Sequence, residues 1–514
     1  MRMPISLNNV SLEWPNGASC FTGVSAVFSS GLTCLIGDNG SGKTSLIKII
    51  LGELEPTRGS VESPANIGYL PQDLALKSDA TVADVFGASE ILKAIEAVEA
   101  GDFDPKLYEI IGDRWDVAAA VTAALSAHGL DLDLSRTMET LSGGETVRVA
   151  IAAILQGNPD FIVLDEPTNN LDGDAKAQLI ELLASTPVPS LVVSHDRDLL
   201  ESATEIAELR NGKLRVFPGN FSAYLETLAR EQEAAMREVR DTKSNHRKQL
   251  REREAMQTRI DRDARRGRKF AASKRKPGMA MGLDKDRSEK TAARRGSAHT
   301  DAVDSAWAAY NQAKEKVRDD RGVFIDLPGT ELANSTRVLD IPGLAMVGPE
   351  RVRVTGPNGS GKTTLLNSIA RHEADYVIEG AGYLRQRLTF PPEKTVLELV
   401  TEANPEAGPQ YIRDRLAQLL FQNDTVHARV NELSGGEKFR VELARILLSK
   451  PAPRLLLLDE PTNNIDIATV DWLVSTLEAY EGAIILVSHD ENFCGRVGLT
   501  REIPVEILRG AAAH

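Results

Sequence analysis

The sequence predicts an α/β protein made of two domains of one construction, with a long helical hairpin between them. Three observations carry this reading. A strand, a glycine-rich loop and a helix follow one another twice, as LTCLI into GDNGSGKT (Gly37 to Thr44) and as VRVT into GPNGSGKT (Gly356 to Thr363). Apolar runs closing on two carboxylates also occur twice, FIVLDEP (Phe161 to Pro167) and LLLLDEP (Leu455 to Pro461). In each half a histidine ends a later apolar strand, and His195 stands as far beyond Asp165 as His489 stands beyond Asp459. Between the halves, the stretch from Ser222 to Lys269 is free of proline, has its only glycine at 267 and consists almost wholly of helix formers. The expected domains are 1–225, a charged helical linker over 226–321, and 322–514.

A chain of 514 residues has room for two or three domains with cores of their own. It is 42% apolar and 26% charged, and its longest apolar runs fall short of the roughly 20 residues a bilayer span needs. The opening MRMPISLNNVSLEW has no basic-then-apolar leader and reads as a first strand, so the expected compartment is the cytoplasm. Cys20, Cys34 and Cys494 have neither the count nor the spacing of a disulfide framework or metal cluster and read as small buried apolar residues.

In the first domain, the loop residues Gly37, Asp38, Asn39, Gly40, Ser41, Gly42, Lys43, Thr44 and Ser45 turn backbone N–H groups and a helix N-terminus toward phosphates, with the lysine reaching the terminal ones. Gly356, Pro357, Asn358, Gly359, Ser360, Gly361, Lys362, Thr363 and Thr364 repeat the arrangement. Thr44 and Thr363 are placed to coordinate Mg²⁺. Asp165 and Asp459, at the carboxyl ends of strands that open on a ligand crevice, suit the Mg²⁺ shell. Glu166 and Glu460 point to the other side and suit a base that polarises water, within reach of His195 and His489.

The interval from Gln72 to Ser142 is nearly half as long again as that from Gln386 to Ser434, so the first domain carries a surplus there. It falls in a helical arm expected over about 84–125, where EILKAIEAVEAGDFDPKLYEIIG reads as two short helices around Gly101 and Pro105. In the linker, Pro277-Gly278 and Gly282 mark a turn, and a second helix is expected from about Lys285 to Arg321. After His489 only a short strand-like tail is expected.

The formal net charge of −14 is uneven. Arg237 to Arg295 holds 21 Lys and Arg against 9 Asp and Glu, so this stretch carries +12 and the remainder −26. Arg265, Arg266, Arg268, Lys269, Lys274, Arg275 and Lys276 cluster beside the turn, a pattern suited to nucleic-acid phosphates. A solvated helix laced with salt bridges is the competing reading.

Together with LSGGE at Leu141 to Glu145 and Leu433 to Glu437, these motifs resemble the ATP-binding cassette superfamily over both motif-bearing regions. That resemblance implies ATP and Mg²⁺ as ligands, ATP hydrolysis, and Gln72 and Gln386 beside the metal. It further implies that each signature completes the other cassette's site: Ser434, Gly435 and Gly436 the first, Ser142, Gly143 and Gly144 the second. The family usually places an aromatic on the adenine at a set distance ahead of the first loop glycine. Trp14 fits; the residue equally far ahead of Gly356 is Ala333, between Leu332 and Asn334.

Two cassettes without a membrane part, a charged helical linker, a first-cassette arm, and DEPTNNLD and DEPTNNID are similar to the F subfamily, whose members bind ribosomes. The resemblance covers essentially the whole chain. It implies a monomer with an intramolecular cassette pair, whose linker reaches ribosomal RNA and tRNA and which regulates translation or protects the ribosome from antibiotics. A tandem ATPase subunit of an importer and a DNA-associated relative are the alternatives.

Overall fold

The computed structural model describes residues 3–15, 17–72, 79–169, 171–272, 300–317, 327, 329–386, 388, 390–405, 407–419, 423–463 and 465–510. The chain divides into two compact units, one of Met1–Phe221 with Gly322–His514 and one of Ser222–Arg321.

The first unit holds both motif-bearing domains. The main sheet of the first runs Ile67–Leu70, Phe161–Asp165, Ser190–Val193, Leu32–Ile36, Glu205–Arg210 and Lys213–Pro218 in spatial order. The first five strands are parallel and the last is antiparallel to its neighbour. The second domain repeats the parallel part with Ala381–Leu384, Leu455–Asp459, Ala483–Val487, Arg351–Thr355 and Arg501–Pro504. Leu32–Ile36, Phe161–Asp165, Leu455–Asp459 and Ala483–Val487 are buried at every position, as expected of unbroken apolar runs covered on both faces. Because Leu32–Ile36 and Arg351–Thr355 lie between parallel neighbours, the loop leaving each carboxyl end opens at a crevice in the sheet edge.

Outside each main sheet lies an antiparallel hairpin, and here the halves differ. In the first, Ile5–Glu13 pairs with Ser19–Phe28, from Ile5 opposite Phe28 at the base to Glu13 opposite Ser19 near the tip. In the second, Arg337–Ile341 pairs with Leu344–Val347, with Arg337 opposite Val347 and Ile341 opposite Leu344. The second hairpin is therefore about half as long as the first. Trp14 follows the first strand at the tip, whereas Ala333 precedes the second hairpin altogether, in a turn where its carbonyl accepts from the Thr336 N–H at 2.9 Å. Ala333 is thus not the counterpart of Trp14. Counting back equally far from each loop runs straight through a shortened hairpin in the second half, so equal sequence distance does not reach an equal place.

The first-domain surplus folds as helices Ser89–Glu99, Pro105–Ile111 and Val117–Ala127. Ile91, Ala94 and Ile111 form a small core between them, and Asp104 caps the helix that Pro105 begins by accepting from the Lys106 N–H.

A single helix runs from Phe221 to Ala272, 52 residues or about 78 Å at 1.5 Å per residue, and all of it but Phe221 belongs to the second unit. A second helix covers 300–316. Lys316 pairs with Glu238 at 2.8 Å, and the Trp307 ring lies 5.1 Å from the His246 ring, so partners move backwards on one helix as they advance on the other. The two are antiparallel. Pro277-Gly278, Gly282 and the start expected near Lys285 lie outside the described residues.

Candidate functional site

Each phosphate loop is held open by backbone geometry that favours glycine. Gly42 and Gly361, at φ 100° and 92°, precede helices Lys43–Ile50 and Lys362–Ala370. A side chain on Gly42 would lie 2.5 Å from Cys20 Sγ, so the first hairpin packs directly on this loop. Lys43 Nζ donates to the carbonyls of Gly37 (2.6 Å) and Asp38 (3.2 Å), and Lys362 Nζ to those of Gly356 (2.6 Å) and Pro357 (3.0 Å). The Ser41 and Ser360 hydroxyls are buried in these loops without a protein partner among the described residues, as a site built for phosphate oxygens requires.

Thr44 Oγ1 lies 3.4 Å from Asp165 Oδ2, and Thr363 hydrogen-bonds Asp459. A hydroxyl and a carboxylate converging beside the lysine are the hard oxygen donors that Mg²⁺ prefers, so the residues fit that ion. Tyr383, which the motifs do not single out, donates to Asp459 at 3.3 Å.

Glu166 and Glu460 share an unusual backbone, at φ 51° and 48°. A left-handed glutamate costs of order 1–3 kcal/mol, and both halves carry it at the same place, directly after the aspartate. Their N–H groups donate to the carbonyls of Val193 and Val487, which turns each carboxylate to its histidine. His195 Nε2 stands 3.3 Å from Glu166 Oε1 and His489 Nε2 stands 3.4 Å from Glu460 Oε1. Burial pushes the Glu460 carboxyl up to about 7 and raises that of Glu166 as well. Burial also lowers His489 to about 4 and depresses His195, so both imidazoles are neutral at physiological pH. A carboxylate poised near neutrality beside a neutral histidine suits proton abstraction from water.

Asn358, Gly361, Lys362, Gln386, Glu460 and His489 line one cavity of about 370 Å³ together with Thr363 and Asp459, and Leu171 joins them from the first domain. Across the other contact, Asp466 Oδ2 accepts from the Asn39 N–H at 2.8 Å while its other oxygen caps the helix Ile467–Glu478. The partner domain thus reaches each loop through the segment after DEP. Ser142, Gly143 and Gly144 are not among the residues lining the cavity. Ser142 and Ser434 instead begin helices Gly143–Gln156 and Gly435–Leu447 in reciprocal capping pairs with Glu145 and Glu437. Motif reading does not reach Leu171 and Asp466, although the repeated NNLD and NNID are the signal for them. Gln72 is exposed beyond Ile67–Leu70, and Trp14 is 42% exposed. Arg265, Arg266 and Lys269 are exposed near the end of the long helix, and Arg268 lies on the same turns. Lys274, Arg275 and Lys276 lie outside the described residues.

The model of the ABC transporter family matches residues 24–169 and 344–463. The chain is 33% identical to the tylosin resistance ATP-binding protein TlrC of Streptomyces fradiae over 93% of both chains. It is 30% identical to the ATP-binding protein Uup of Escherichia coli (strain K12), over 90% of this chain and 74% of that one. With ABC transporter F family member 5 of Arabidopsis thaliana it shares 28% identity over 92% of this chain and 70% of that one. The chain belongs to the F subfamily of ATP-binding cassette proteins. Its cassettes bind and hydrolyse ATP. Among solved structures, the archaeal ribosome recycling factor aABCE1 in complex with the stalk protein aP1 superposes with a TM-score of 0.55 at 19% identity, over 96% of this chain and 87% of that one, a likeness of fold. Among the described residues of this F-subfamily chain, no helix is long and apolar enough to cross a membrane.

The exposed Trp14 at the tip of a hairpin packed on the first loop offers a surface for the base. Trp14→Ala is expected to weaken ATP binding at the first site by about 5-fold to about 150-fold, from the roughly 1–3 kcal/mol of a base–aromatic stack. Ala333→Tyr, outside the second hairpin, is expected to change nothing. Isothermal titration of each variant reads both affinities, and an unchanged Trp14→Ala affinity would contradict the placement.

Proposed function

We propose that the chain binds the ribosome and uses ATP binding and hydrolysis in its paired cassettes to protect the ribosome from an antibiotic. The observation that carries the ribosomal part is the charge of the hairpin. A stretch of +12 on a chain that is otherwise −26 is drawn to a phosphate-rich partner that repels the acidic remainder. A helix of 52 residues leading to Arg265, Arg266 and Lys269 gives that charge reach. The protective part rests on likeness over nine-tenths of both chains to a protein named for tylosin resistance.

In this reading the chain is a monomer working in the cytoplasm, its two ATP sites formed within one molecule. Thr44 with Asp165 and Thr363 with Asp459 hold Mg²⁺, helped by Gln72 and Gln386. Glu166 and Glu460 activate water, and His195 and His489 orient it. ATP draws Ser434 to Gly436 onto the first loop and Ser142 to Gly144 onto the second. Antibiotic susceptibility of cells with and without the chain tests the proposal. Raised tolerance to tylosin or a related compound supports it. Unchanged tolerance to a full panel, with translation altered, would replace protection by regulation of translation.

A further inference from the structure

The strand that leads into the second phosphate loop buries a charge that its counterpart in the first cassette lacks. Arg353 on Arg351–Thr355 is 6% exposed, and Cys34, which stands as far ahead of Gly37 as Arg353 does of Gly356, is fully buried. A guanidinium cannot shed its charge, so burying it is costly unless its N–H groups find acceptors. Here they do. Nε and Nη2 donate to the Ser488 carbonyl at 3.3 and 3.0 Å, Nη2 and Nη1 to the two carboxylate oxygens of Glu491 at 2.5 and 3.0 Å, and Nη1 also to Glu502 at 3.0 Å.

Two of these partners flank the second histidine. Ser488 precedes His489, and Glu491 opens the helix Glu491–Val497 that follows, capped by Asp490 through the Phe493 N–H at 2.8 Å. The Ser488 carbonyl and the His489 N–H are the two ends of one peptide group. The carbonyl accepts from Arg353, and the N–H donates to Glu460 Oε2 at 3.3 Å. Because the peptide is planar, holding its carbonyl end aims its N–H end, and a charged donor on the carbonyl polarises the group and strengthens that N–H as a donor. The ring of the same histidine meets Glu460 Oε1 at 3.4 Å and Lys362 Nζ at 3.3 Å. In the first cassette the corresponding segment is anchored differently. Arg197, in the place of Glu491, donates from Nη2 to Asp471 Oδ1 of the second cassette at 2.7 Å.

We propose that Arg353 is a positioning residue for ATP hydrolysis at the second site, gripping the Ser488–His489 peptide by its carbonyl so that His489 and Glu460 keep their mutual placement. Arg353 is not among the residues lining the second-site cavity, so it acts through these two side chains and not on ATP itself. The inference rests on Glu460 acting as the base.

The test is steady-state ATP hydrolysis by variants of the full chain. Arg353→Met keeps an unbranched apolar stem and removes every one of these donors. Its kcat is expected to fall by about half or more, since a misplacement of about 1 Å can cost roughly 10²-fold at the affected centre, while KM for ATP stays within about twofold. Glu491→Ala, which removes a largely exposed carboxylate, is expected to show the same split with a smaller loss, and it serves if Arg353→Met does not fold. In a Glu460→Gln background, Arg353→Met is expected to bring no further loss. An unchanged kcat in Arg353→Met, or in Glu491→Ala where Arg353→Met does not fold, would overturn the proposal. So would a rise in KM that accounts for the whole loss of kcat/KM, or the same fractional loss in the Glu460→Gln background. A Glu460→Gln variant with full activity would instead overturn the assignment of the base itself.

Discussion

The double variant Glu166→Gln, Glu460→Gln is expected to bind ATP and to lose steady-state hydrolysis by at least about a hundredfold, the lower end of what a positioned general base contributes. The amide keeps the size and hydrogen bonding of the carboxylate but cannot take a proton. Both side chains lie beside a neutral histidine on a strained left-handed backbone, so the variant changes chemistry and not placement. The pH dependence follows from burial. The Glu460 carboxyl is raised to about 7 and that of Glu166 is raised too, and the active form is the unprotonated one. Wild-type kcat/KM for ATP should therefore climb as pH rises through neutrality, and the residual rate of the double variant should lose that climb. Linkage has the opposite sign. A folded-state value above the unfolded one means that the stability these carboxyls contribute is complete below the ordinary glutamate range and is lost as pH rises through the raised value. A double variant that turns over ATP at the wild-type rate would remove both glutamates from the reaction.

The second large effect concerns the hairpin. Replacing Arg265, Arg266, Arg268, Lys269, Lys274, Arg275 and Lys276 with Gln removes seven charges from one stretch and touches no cassette motif. Ribosome association is expected to weaken and its salt dependence to flatten by roughly 0.7–0.9 in log–log slope for each phosphate no longer neutralised. ATP affinity is expected to stay as it is. Sedimentation with ribosomes over a series of salt concentrations measures both quantities. An unchanged slope would make the hairpin a spacer and favour an importer-subunit role for the cassettes.

Much of this architecture is legible in the sequence because it is written twice. The two phosphate loops, the paired carboxylates and the equally spaced histidines lie at ends of buried parallel strands, where apolar runs leave little choice of conformation. The arm is also legible, since the surplus in the first domain brings Gly101 and Pro105 to punctuate helices. The outer hairpin is not. Its strands are short and their length is set by pairing, so a count from the loop cannot reveal that the second hairpin is about half the first, and equal counting assigns Ala333 to a place it does not occupy. The seam between the cassettes is hidden for another reason. Arg197 and Asp471 acquire meaning only when distant segments meet, and nothing local distinguishes them from ordinary helix residues.

The central proposal is that the chain binds the ribosome and that ATP binding and hydrolysis in its paired cassettes govern that association. The measurement that tests it most directly is sedimentation of the Glu166→Gln, Glu460→Gln chain with ribosomes, with Mg-ATP and without nucleotide. The account predicts near-stoichiometric recovery with ribosomes in ATP and little without it, because a closed pair that cannot lose the γ-phosphate cannot reopen. Equal recovery in the two conditions, or none in either, would contradict it.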